Sequence, residues 1–229
     1  MHFPFFFDST MLILIPAIII SFIAQMMVKS AYSKYSEVRT HNGNTGSEIA
    51  RSMLDEAGLY DVPIEIVNSE LGDHYDPRSR VLRLSPDVYS KATVAAAGIA
   101  AHEVGHALQH QRSYAPLVLR NTIAPAVNIS SNLSWGIFFA GLIFSVRPLL
   151  TIGIILFTAV VLFQVVTLPV EFNASRRALE VLESRNILYS DELKGAKKVL
   201  GAAALTYVAA ALMSILQLIR LIALSKRND

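Results

Sequence analysis

Hydrophobic positions in this chain are gathered into blocks rather than spread at helix or strand spacing. Residues 11–28 (MLILIPAIIISFIAQMMV) carry no charge and approach the roughly 20 residues that cross a bilayer core. Pro16 predicts a kink there. The segment is expected to stay as an anchor: no Lys or Arg precedes it, and residues 25–28 make a poor cleavage site. Residues 127–146 and 149–170, split by Arg147-Pro148, predict a helical hairpin. Its first arm carries Asn128, Ser130, Ser131, Asn132 and Ser134, polar groups expected to face a protein interior or a wet cavity. A last block, 199–224, follows a polar start capped by Ser190-Asp191-Glu192 and holds Arg220 near its end. Four spans are expected.

The stretch 29–120 is mixed and reads as soluble. Residues 47–59 predict an amphipathic helix capped by Ser47, with Ile49, Met53 and Leu54 on one face and Gly58 as its stop. Residues 63–67 alternate like a strand, 73–77 (DHYDP) carry turn chemistry, and 81–84 alternate again. Ser85-Pro86-Asp87 opens a helical stretch, and 91–111 predict an Ala-rich helix. Residues 171–185 predict a charged helix leaving the membrane.

Just over half the residues are hydrophobic (53%) and the formal net charge is only +2. Nothing in this balance resembles a nucleic-acid-binding surface. With no cysteine, disulfides, thiolate metal sites and cysteine nucleophiles are excluded, so a bound metal must take nitrogen and oxygen ligands.

The chemistry sits in the Ala-rich helix, where residues 102–106 read H-E-x-x-H. Positions i and i+4 share a helix face, so the imidazoles of His102 and His106 can reach one Zn²⁺. Glu103 is expected to take a proton from a zinc-bound water, whose pKa the metal lowers toward neutrality, and to pass it to the leaving amine. Gly105 costs about 1 kcal/mol inside a helix, which suggests that something approaches the backbone there. His110 continues the i+4 series, but three histidines so spaced do not converge on one tetrahedral centre; a helix-end role is expected. Position 112 is Arg, so the third ligand must be distant. The acids beyond His106 are Glu171, Glu180, Glu183, Asp191, Glu192 and Asp229. Glu171 stands out, because it lies at the membrane boundary just after Pro169, where an unpaired acid is costly. Ser175, one turn on, is expected to hydrogen-bond its carboxylate.

Residues 101–110 (AHEVGHALQH) and 169–179 (PVEFNASRRAL), together with DHYDP at 73–77, LSPDVY at 84–89 and AAALTYVAA at 202–210, resemble the bacterial neutral zinc metallopeptidase family. They resemble more distantly the membrane gluzincins of the HtpX class. The resemblance runs along nearly the whole chain. It implies one catalytic Zn²⁺ held by His102, His106 and Glu171, with Glu103 as the catalytic base and a peptide or protein as substrate. In the HtpX pattern the ligand opens E-x-x-A-D; here Ser175 replaces the aspartate. By the same analogy Val81, Leu82, Arg83 and Leu84 would form an edge strand that binds an extended peptide, or an ordinary sheet strand. His74 and Tyr75 would stabilise an oxyanion or serve a turn.

The expected fold is a mainly α membrane protein: about four transmembrane helices plus a small α+β zincin-like catalytic region with a short edge-strand sheet. The expected organisation is an anchor at 1–28, a catalytic region at 29–120, a transmembrane hairpin at 121–170, a third-ligand helix at 171–198 and a C-terminal membrane helix and tail at 199–229. Trp135 and Phe3, Phe5, Phe6 and Phe7 read as interface anchors, and Arg176 and Arg177 as headgroup-flanking cations or partners of substrate carboxylates. The excess of Lys and Arg in 29–120 and 171–198 is expected to place the site on the cytoplasmic side, although Lys226 and Arg227 pull the other way; the resemblance implies that the membrane is a bacterial inner membrane. Two other readings use the same residues: an intramembrane-cleaving metalloprotease and a non-catalytic zinc-binding membrane scaffold.

Overall fold

The computed structural model describes residues 9–69 and 72–227; Phe3, Phe5, Phe6, Phe7 and Asp229 lie outside them. Among the described residues four helices are long and apolar enough to cross a membrane: Ser9–Tyr35, Ala115–Ile143, Arg147–Ser184 and Ser190–Lys226. They are α1 (Ile15–Tyr35, entered through a 3-10 turn at Ser9–Leu14), α5 (Ala115–Ile143), α6 (Arg147–Ser184) and α7 (Ser190–Arg227). The predicted segments 149–170 and 171–185 are one helix, which continues through Pro169. The described residues divide into two compact units, 9–24 with 119–168 and 206–227, and 25–118 (less 70 and 71) with 169–205.

The first unit is apolar and helical. Phe138, Leu142, Leu150, Phe157, Val161 and Leu221 form its core. The α5–α6 hairpin closes tightly because Gly141 and Gly153 carry no Cβ: one on Gly153 would lie 2.8 Å from Phe138 Cβ. Trp135 stacks on Phe139 (centroids 5.6 Å apart) and meets the edge of Phe157, so it belongs to the hairpin's aromatic cluster. Three polar residues of α5 bond to their own helix: Ser131 and Asn132 donate to the Asn128 carbonyl, and Ser134 donates to that of Ser131. Ser134 alone among them is buried, while Asn128 and Asn132 are exposed. Arg220 Nε donates to Thr10 Oγ1 at 3.2 Å, which puts the start of the first span and the end of the last at one end of this unit.

The second unit holds α2 (Gly46–Glu56), β1 (Ile64–Ile66), β2 (His74–Asp76), β3 (Val81–Leu84), α3 (Pro86–Ser90) and α4 (Val94–Gln111). The cap of α2 is Thr45, not Ser47. The Thr45 hydroxyl accepts from the Glu48 amide while Glu48 accepts from the Thr45 amide, a reciprocal box that satisfies two helix-end donors. Gly58, at φ +74°, ends the segment as expected.

The sheet departs from the sequence reading in two ways. Residues 74–76, inside the predicted turn, form β2, and the strand order is β1-β3-β2. β1 runs parallel to β3 (Glu65 opposite Arg83), and β2 antiparallel (Tyr75 opposite Leu82). Val81, Leu82, Arg83 and Leu84 are therefore the middle strand, not an edge, because β2 takes the side that was expected to be free. The core packs Ile49, Leu54, Val62, Leu82, Leu84, Val94 and Val104 with Ala178 and Leu182 of α6 and Ala196 and Leu200 of α7. Fourteen of the eighteen residues of α4 are buried, so it is a central helix and not a surface one.

Candidate metal centre

Small residues decide where the site forms. A Cβ on Gly105 would lie 2.7 Å from the Ala174 carbonyl oxygen, so α4 and α6 meet backbone to backbone at that point. The contact lays Glu171 across the face of α4 that carries His102 and His106. Glu171 Oε2 is 3.3 Å from His102 Nε2 and 3.6 Å from His106 Nε2. The two rings lie 4.8 Å apart and nearly perpendicular, and one donor atom from each of the three residues falls within 4.8 Å of the others. Glu171 is 4% exposed and His106 8%. Two imidazoles and one carboxylate turned toward a common point are the donor set of a catalytic zinc with one position left open; the residues fit that ion.

Gly105→Ala is expected to force the two helices apart. Overpacking of this kind costs about 1–3 kcal/mol, and the strain falls between the elements that carry the three donors. The full-length variant should melt lower and bind zinc more weakly, as followed by thermal unfolding with and without metal.

Glu103 Oε2 accepts the Tyr75 amide at 3.0 Å. Burial, reinforced by Glu171 and Asp73, pushes its carboxyl up to about 6, against the opposing pull of His102 and the Tyr75 N–H. A dication held by the three neighbours favours the charged form again. Near neutral pH such a group can both take and return a proton.

The remaining predicted residues separate clearly. Ser175 Oγ meets His102 Nδ1 at 3.1 Å; it braces an imidazole rather than the Glu171 carboxylate, because the close helix approach lays it over α4. His110 is outside the cluster, and its Nδ1 meets the Tyr75 hydroxyl at 2.9 Å. His74 is turned back onto the Gly72 carbonyl at 2.7 Å and is exposed. What reaches Glu103 from this strand is the Tyr75 main chain, not the side chain of His74 or Tyr75. The start of β2 is pinned by Asp73, which accepts from the amide and hydroxyl of Ser85. Glu180 is paired with Arg176, Asp191 with Lys194, and Glu192 accepts from the His41 and Tyr189 amides. Among the described residues, Glu171 alone of the downstream acids joins the imidazoles.

Sequence reasoning missed Gln109 and Asn173. Gln109 is completely buried and contacts His106 Nδ1 at 3.0 Å, the Val170 carbonyl at 2.8 Å and Asn173 Oδ1 at 3.0 Å. Asn173 Oδ1 also accepts from Arg177 Nε at 2.7 Å. The available signal was spacing: Gln109 is three residues past His106, on the same face.

An H-E-x-x-H helix whose histidines meet a carboxylate brought from a second helix, together with four apolar helices, describes a membrane metallopeptidase as a class. Residues 10–226 match the family described as "Putative neutral zinc metallopeptidase", and the chain belongs to that family. Over 208 residues it is 52% identical to "Putative membrane protease YugP" of Bacillus subtilis (strain 168), an alignment that covers 91% of this chain and 92% of that protein. No solved structure matches the chain. Membership of the family implies zinc and a peptide substrate, and the four apolar helices imply a bilayer.

Proposed function

We propose that this chain hydrolyses peptide bonds with a single zinc ion held by His102, His106 and Glu171 and with Glu103 as general base. The observation that carries the reading is the convergence of both Nε2 atoms on Glu171 Oε2, at 3.3 and 3.6 Å. Zinc held by these residues would supply Lewis acidity toward a peptide carbonyl and a water. The rest is done by the chain's own groups. The Tyr75 amide fixes Glu103 Oε2, which leaves Oε1 to accept a proton from the attacking water and then return it to the departing amine nitrogen. Ser175 and Gln109 keep the imidazoles turned toward Glu171 from behind. Substrate is proposed to lie along β2, an outer strand of the sheet whose Tyr75 amide faces Glu103.

Two observations favour this over the other readings. α4 is not among the four helices long and apolar enough to span a bilayer, which argues against cleavage by a motif inside a span. A structural zinc site is closed by four protein ligands, whereas three residues converge here among the described residues. The stretches 29–120 and 171–198 are proposed to form the catalytic part and 1–28, 121–170 and 199–229 the membrane part, a division supported by the two compact units. The Arg220–Thr10 bond supports a fourth segment that crosses. Both catalytic stretches then share one side, and their Lys and Arg content favours the cytoplasmic face of the bacterial inner membrane.

The test is reconstitution. Detergent-solubilised full-length protein should lose cleavage of an unstructured protein substrate on treatment with a zinc chelator and regain it with stoichiometric zinc. Cleavage that persists in the metal-free protein would end the proposal.

A further inference from the structure

We infer that Gln109, Asn173 and Arg177 act as a positioning relay that fixes the tautomer and ring direction of His106. The inference rests on the reading of His106 as a zinc ligand. It follows from which groups in the chain can only donate. A guanidinium has no acceptor, so the Asn173 atom 2.7 Å from Arg177 Nε must be the amide oxygen. That oxygen lies 3.0 Å from one end of the Gln109 amide, and the Val170 carbonyl lies 2.8 Å from the same end. Two acceptors there require the NH2 group of Gln109.

The opposite end of Gln109 is then its carbonyl oxygen, 3.0 Å from His106 Nδ1. An acceptor in that place needs a proton on Nδ1, so the lone pair is left on Nε2, the nitrogen 3.6 Å from Glu171 Oε2. A neutral imidazole in this tautomer is the form that can bind a metal through Nε2. The reversed amide would set the Gln109 oxygen against two other oxygens in a site with no exposure, at the full cost of unmade buried hydrogen bonds. His102 differs: its Nδ1 faces the Ser175 hydroxyl, which can donate or accept and so fixes no tautomer. One imidazole is thus locked through three residues, ending at the partly exposed Arg177, six positions beyond Glu171.

The experiment measures zinc affinity of the purified full-length protein by chelator competition, with thermal unfolding of the metal-free protein in parallel. Loss of an outer hydrogen-bond partner of a metal-bound histidine typically weakens binding about 10–100-fold, and Gln109→Leu should fall in that range. Arg177→Met should weaken zinc binding without changing the melting temperature of the metal-free protein, and Arg177→Lys, which keeps a donor, should restore it. A purely structural role would lower melting temperatures while leaving the folded protein's zinc affinity alone. Wild-type affinity in Gln109→Leu overturns the relay. Should Gln109→Leu not fold, the Arg177 pair decides: unchanged affinity in Arg177→Met overturns it. Glu171→Ala separates the two levels. Equal zinc affinity in that variant and wild type means that the metal-centre reading has failed, whereas a loss there with wild-type affinity in Gln109→Leu removes the relay alone.

Discussion

Glu103→Gln protein is expected to keep its zinc and its melting temperature and to lose peptide hydrolysis by about 10²–10⁴-fold, the usual contribution of a positioned acid–base group. Glutamine has nearly the shape of glutamate, and its carbonyl oxygen can still accept the Tyr75 amide that Glu103 Oε2 accepts at 3.0 Å. Its NH2 group takes no proton. Burial is no obstacle, because a neutral amide costs less to desolvate than a carboxylate, and residue 103 is 8% exposed. The loss should therefore lie in kcat, with metal content unchanged at one ion per chain. A variant that cleaves at the wild-type rate would remove Glu103 from the mechanism.

Glu171→Ala is expected to lose both zinc and activity. Among the described residues, the substitution removes the one carboxylate grouped with both imidazoles and leaves two nitrogen donors without it. The drop in affinity should exceed the roughly 10–100-fold typical of outer partners, because a ligand itself is lost. The pair of variants is diagnostic together: one keeps the metal and loses catalysis, the other loses both. Zinc titration of the two proteins beside wild type gives the comparison. An alanine variant that binds zinc as tightly as wild type would show that the third ligand lies elsewhere.

The parts of the site read from sequence are those set by local geometry. His102 and His106 are one helical turn apart whatever surrounds them, and Gly105 marked a close approach that the Ala174 backbone supplies. Glu171 could be picked out because a carboxylate just past Pro169 at the end of an apolar run needs a partner. What escaped depends on contacts between distant segments. Residues 74–76 have turn-forming composition, yet they pair with β3, Tyr75 opposite Leu82, and that pairing also displaced 81–84 from the edge. A glutamine within a helix reads as a solvated residue until a facing helix brings the Val170 carbonyl and Asn173 to it. Thr45 was a different kind of miss. Thr45-Gly46-Ser47-Glu48 is a capping box in plain sequence, and the neighbouring serine was preferred to it. The four apolar blocks survived because length and hydropathy alone specify a span.

The most direct test is the zinc-edge X-ray absorption spectrum of wild-type protein loaded with one equivalent of zinc. The expected result is nitrogen and oxygen neighbours at about 2.0–2.2 Å, with outer scattering from two imidazoles, and loss of that bound-zinc spectrum in a His106→Ala protein. A spectrum with no imidazole scattering, or one left unchanged by removing His106, would contradict a shared ion at this helix pair.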